Sequence, residues 1–118
     1  MAGNAGLFST ARDVARVYQM LLNGGEIDGQ RYLSKETCQL FTTETSKISR
    51  RGLGFDKPDA DDPKKGNCAP AAPAEVYGHT GFTGTCAWVD PMNELVYVFL
   101  SNRIYPDVTN RKLNQLHI

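Results

Sequence analysis

The chain has no excess of charge of either sign, because thirteen lysines and arginines offset thirteen aspartates and glutamates. Without a net field, long-range attraction to nucleic acid or to an anionic membrane surface has no source, and a nucleic-acid role is excluded. Long apolar runs are also missing. The longest, Leu95 to Leu100, is far short of the roughly 20 residues that cross a bilayer. The first residues lack the basic-then-apolar order of a signal peptide, so the stretch as given reads as soluble without reporting a compartment. Cysteine is scarce and odd in number: Cys38, Cys68 and Cys86 show none of the Cys-x-x-Cys spacing that zinc and redox sites use. They read as buried or loop thiols. A disulfide between two of them stays open if the parent is exported, and the sequence does not choose the pair. Histidine is rarer still, and His79 and His117 lie too far apart to converge, so neither a metal nor a cofactor is expected.

What remains fits one domain: 118 residues with 41% apolar side chains supply a modest core. Thr10-Ala11-Arg12-Asp13 resembles a capping box, with Asp in place of the usual Glu or Gln. Val14, Val17, Tyr18, Leu21 and Leu22 then form one apolar stripe, and Asn23-Gly24-Gly25 offers a left-handed stop. The pattern predicts a core-packing helix over Ala11 to Leu22. Asp28-Gly29 marks a turn between short segments, and Ser34 caps a second, shorter helix running to about Phe41.

Gly52-Leu53-Gly54-Phe55 alternates like a strand, although its glycines weaken it without neighbours. From Lys57 to Glu75 almost nothing apolar is larger than Ala, which predicts a long loop, either a mobile cover or disordered. Within it, Asp59, Asp61, Asp62, Lys64 and Lys65 read as a solvated charge run. Cys86 to Val89, the turn Asp90-Pro91-Met92-Asn93 and the run Leu95 to Leu100 predict an antiparallel hairpin. Pro106-Asp107 introduces a final helix that would be cut short at Ile118. The Gly-rich start, Met1 to Gly6, also reads as a severed connection. No internal repeat is visible.

The segment best suited to chemistry is Tyr77-Gly78-His79-Thr80-Gly81-Phe82-Thr83-Gly84-Thr85, which sets an imidazole and hydroxyls among glycines at the start of a strand. Around Gly81 and Gly84, main-chain N–H groups can approach a substrate oxygen that a larger side chain would hold away. Taken alone, His79 is more often a structural histidine.

Several segments together resemble the serine beta-lactamase and penicillin-binding protein superfamily, in its branch of class C-like esterases and peptidases. They are Gly3-Asn4-Ala5-Gly6-Leu7-Phe8-Ser9-Thr10-Ala11-Arg12-Asp13, Gly52-Leu53-Gly54-Phe55, His79-Thr80-Gly81 with Phe82-Thr83-Gly84, and Ser101-Asn102-Arg103. The stretch Arg50 to Pro58 further resembles a Bacteroidetes-type subgroup in which such a domain follows a glycoside-hydrolase family 3 beta-N-acetylglucosaminidase. The resemblance implies an α/β (α+β) fold with about three antiparallel strands and packed helices, of which this chain is the C-terminal part. It also implies a bacterial envelope or periplasmic setting and a small-molecule or cell-wall substrate.

In that family the third motif is Lys-Thr-Gly or a variant; here His79 stands in the lysine position. By resemblance His79, Thr80, Gly81 and Thr83 form the substrate-binding edge, with His79 and Thr80 orienting an acyl or carboxylate portion. The N–H of Phe82 would be half of an oxyanion hole, and such backbone donors lower a barrier by about 3 kcal/mol. Imidazole, unlike an ammonium, loses its charge near neutral pH, so carboxylate recognition through a charged His79 would weaken as pH rises.

The departures from the family decide the rest. Ser9, Ser34, Ser46, Ser49 and Ser101 are none of them followed three positions later by lysine, and no tyrosine begins a Tyr-x-Asn. A nucleophile and its base therefore lie outside this chain, which is expected to be inactive alone. Two alternatives stay open: an interaction module that self-associates through exposed sheet edges, and a catalytically dead homologue.

Overall fold

The computed structural model describes residues 6–43, 46–59, 61–62 and 65–109. Helix α1 spans Ala11–Leu22, as the apolar stripe predicts. At its start the Thr10 hydroxyl accepts from the Asp13 N–H at 3.2 Å and donates to the Asp13 carboxylate at 2.8 Å. The shorter Asp side chain thus meets the cap hydroxyl, where a Glu would reach back to the cap N–H. At its end the Gly25 N–H donates to Met20 O and the Gly24 N–H to Leu21 O. This paired closure needs left-handed backbone, which Gly24 (φ 67°) and Gly25 (φ 95°) adopt without a Cβ penalty.

Strands β1 (Glu26–Ile27) and β2 (Gln30–Arg31) form a small hairpin around Asp28-Gly29, both with positive φ as a type I′ turn requires. Arg16 pairs with Asp28, tying α1 to that turn. Helix α2 runs Lys35–Thr42, with the Ser34 hydroxyl accepting from the Thr37 N–H at 3.1 Å.

The main sheet has the order β3-β4-β5, all antiparallel, built from Tyr77–Thr80, Cys86–Asp90 and Leu95–Phe99. The expected hairpin is β4-β5. At its turn the Asp90 carboxylate accepts from the N–H groups of Met92 and Asn93 and from the Asn93 side chain. With two helices beside antiparallel sheets among the described residues, the fold is of the α/β (α+β) kind.

Strand alternation gives the sheet two faces. Tyr77, His79, Ala87 and Val89 share one, on which α1 packs, and an aromatic chain marks the contact. Phe55 lies edge-on to Tyr18 of α1 at 6.0 Å and tilted against Tyr77 at 5.3 Å. On the other face Cys86 and Trp88 pack with Cys68 and Val76, flanked by Ala72 and Phe99. The segment between Lys57 and Glu75 has no helix or strand among its described residues, yet it contributes Cys68 to this core.

Gly52 to Phe55 forms no strand. Its ends are bonded to each other, Gly52 N–H to Phe55 O at 3.1 Å, and Gly52 lies so close to Phe41 O and Thr43 O that no side chain would fit. Only the next residue, Asp56, bridges to the sheet, at Gly78. Cys38, Cys68 and Cys86 are free buried thiols. Residues 106–109 are not helical, and the remainder of the expected final helix lies outside the described residues, as do Lys64 and His117.

Candidate active-site wall

The outer edge of β3 is held by a buried polar knot. Asp56 exchanges both backbone hydrogen bonds with Gly78, at 2.7 and 3.0 Å. Its carboxylate, fully buried, pairs with Arg50 and accepts from the Asn67 side chain and the Lys57 N–H. Burial pushes the Asp56 carboxyl up. The Arg50 and Asn67 hydrogen bonds, with the Arg50 charge, outweigh it and hold the group below the ordinary carboxylate value. Next to it, the buried Lys57 ammonium donates to Thr42 O at 3.1 Å, Glu75 O at 3.3 Å and Val76 O at 3.2 Å. The end of α2, the approach to β3 and the bridge residue are thereby fixed to one another.

Gly78 makes this packing possible. A Cβ there would lie 2.1 Å from Ala87 O and 2.5 Å from the Trp88 ring. The indole of Trp88 occupies the room that a side chain at Gly78 would take.

At the far end of β3, His79, Thr80 and Gly81 line an open cleft of about 460 Å³ together with Leu7, Phe8, Ser9, Val14, Tyr18, Thr85, Cys86, Ala87 and Leu100. Three of the expected site residues are thus brought to one concavity, against α1. Phe82 and Thr83 are not part of its lining; they form the tip of the turn beyond it. That turn is closed by Gly81 N–H to Thr85 O at 2.7 Å and Gly84 N–H to Gly81 O at 2.9 Å. It is pinned from outside by Ser101-Asn102-Arg103: the Ser101 hydroxyl donates to Gly84 O, the Arg103 N–H to Thr83 O, and the Arg103 guanidinium sits 4.9 Å from the centre of the Phe82 ring. The Phe82 N–H has no acceptor among the described residues.

Two titratable groups line the cleft besides His79. Burial pushes the Tyr18 phenol up, with Cys86 adding to it, and burial pushes the Cys86 thiol up. Neither is therefore a base or a thiolate near neutral pH. Ser9, the cleft serine, donates to Thr10 O.

One contact was not foreseen. Arg51 Nη1 donates to His79 Nε2 at 2.9 Å, across 28 positions of sequence. The other ring nitrogen, Nδ1, lies 2.6 Å from Thr80 O. No pattern in the sequence singles out Arg51: of the adjacent arginines, Arg50 serves the buried Asp56 and Arg51 the exposed His79.

Residues 1–118 match the Beta-lactamase family throughout. The chain belongs to the beta-lactamase family. Within this serine beta-lactamase and penicillin-binding protein superfamily, it is 35% identical over 114 residues to a protein of Escherichia coli O157:H7 provisionally named a D-alanyl-D-alanine carboxypeptidase. Proteins with the same name from Escherichia coli K12 and Salmonella agona are each 34% identical over the same length. Each alignment covers 97% of this chain but 26% of the relative, so the chain spans about a quarter of the length of these relatives. Among the described residues, no helix of this beta-lactamase-family chain is long and apolar enough to cross a membrane.

Proposed function

We propose that this chain is the C-terminal wall of a serine hydrolase site. There the complete protein attacks an ester or amide carbonyl through an acyl-serine whose serine and base lie outside these residues. His79, Thr80 and Gly81 orient the substrate along the β3 edge, Thr83 assists, and the Phe82 N–H is one donor to the developing oxyanion. The observation that carries this reading is the placement of His79, Thr80 and Gly81 in one cleft beside a turn whose Phe82 N–H is unclaimed by the described residues. The name borne by the relatives supports a cell-wall peptide as substrate. Alone, the chain is inactive on this reading.

The test is ester hydrolysis by the complete protein with Phe82→Pro, which removes the N–H. A loss of about 100-fold in kcat with KM little changed is expected from one missing oxyanion donor. Unchanged kcat would remove Phe82 from the mechanism.

A second reading, an interaction module, is favoured by the edge of β5, which pairs with no further strand among the described residues and where Leu95 and Tyr97 are exposed. Molecular mass by size exclusion across a concentration series separates the two, because only the module requires self-association.

A further inference from the structure

The two contacts of the His79 ring define where its proton resides. A guanidinium has N–H groups and no acceptor, so the hydrogen bond from Arg51 Nη1 at 2.9 Å requires a lone pair on Nε2. A carbonyl oxygen only accepts, so the 2.6 Å contact with Thr80 O requires the proton on Nδ1. Both conditions are met by one species, the neutral imidazole protonated at Nδ1. The doubly protonated ring would turn an N–H toward Arg51 and place two cations in contact.

We infer that Arg51 is a positioning residue that fixes His79 as a neutral imidazole with its proton on Nδ1. The positive charge in contact with the His79 ring then belongs to Arg51. His79 acts as an acceptor that holds the guanidinium against the strand edge, and the Thr80 carbonyl is engaged by the ring. The assignment stands on the two hydrogen bonds and is independent of the hydrolase reading.

Imidazole ¹⁵N NMR tests it, because protonated and unprotonated ring nitrogens have well-separated shifts. Spectra of the 118-residue chain are recorded at about pH 8, where a free imidazole is uncharged. The wild-type His79 should show an unprotonated Nε2 and a protonated Nδ1. Arg51→Met removes the donor and should move the proton toward Nε2, the position a free imidazole favours, while Arg51→Lys keeps a donor and should retain the wild-type pattern. Arg51 is exposed, so its replacement leaves the core in place. A wild-type ring protonated at Nε2, or an Arg51→Met spectrum identical to wild type, would overturn the assignment, the latter because Thr80 O alone would then set the tautomer.

Discussion

Asp56 and Gly78 are bonded to each other through both backbone N–H groups, and the Asp56 side chain is at the same time the buried partner of Arg50. One residue therefore joins the strand that bears the candidate site to the loop segment covering the opposite face of the sheet, through Asn67. Replacing Asp56 by Asn keeps the backbone bridge but removes the charge that Arg50 and Asn67 address. A hydrogen bond to a charged group contributes roughly 1.5–3 kcal/mol, so Asp56→Asn should cost about 2 kcal/mol, read as a lower urea midpoint at unchanged slope.

The same carboxylate makes stability depend on pH. Its folded pKa is depressed, because the Arg50 and Asn67 hydrogen bonds outweigh the upward push of burial. Its contribution is therefore fully present above the unfolded carboxylate value of about 3.9 and is lost as pH falls through the lower folded value. The urea midpoint difference between wild type and Asp56→Asn should be constant between about pH 5 and 7 and shrink below about pH 4. A difference that grows on acidification would contradict the assigned direction.

Gly78 and Gly81 should respond differently to alanine. At Gly78 the new Cβ meets a strand carbonyl at 2.1 Å and the Trp88 ring, neither free to move. Gly78→Ala should cost about 3 kcal/mol, the upper part of the usual overpacking range. At Gly81 the obstacle is the Thr85 hydroxyl at 2.3 Å, the end of a side chain that can rotate. Gly81→Ala should cost about 1 kcal/mol in stability while narrowing the cleft. Thermal melts of the two variants check the ranking.

Lys57→Met keeps the apolar stem but takes the ammonium away from the carbonyls of Thr42, Glu75 and Val76. Leaving buried acceptors unsatisfied should cost about 3 kcal/mol, with the first loss of hydrogen-exchange protection at the end of α2 and at β3. Uniform protection across both elements would show that Lys57 does not connect them.

The three thiols are buried and unpaired, and burial is the leading cause that pushes each of them up. A thiol reagent at about pH 8 should label the native chain slowly and reach all three cysteines only after denaturation. Prompt labelling of one cysteine in the native chain would show that its cover opens.

How far the sequence was legible follows the range of the interactions. α1 and α2 were readable because their caps, stripes and stops are local: Thr10, Ser34 and Gly24-Gly25 act within a few residues of themselves. The β4-β5 hairpin was readable for the same reason. Gly52 to Phe55 alternates like a strand that its glycines weaken, and what decides its shape is the end of α2, pressed against Gly52 from outside the segment. Cys68 and Lys57 sit in a segment without large apolar residues and are buried by partners that lie far along the chain. At the site, His79-Thr80-Gly81 was visible as a motif. The contribution of Arg51 was not, since no local pattern links it to an imidazole 28 positions away.

The central claim is that this chain forms a wall of a serine hydrolase site and supplies no nucleophile. Intact-mass spectrometry after incubation with a fluorescent penicillin or an activated ester tests it most directly, on the 118-residue chain and on the complete protein side by side. The account predicts a single stoichiometric acyl adduct on the complete protein, at a serine outside these residues, and no mass increase on the chain. A stoichiometric adduct on Ser9, Ser34, Ser46, Ser49 or Ser101, or a complete protein that takes up no label, would contradict it.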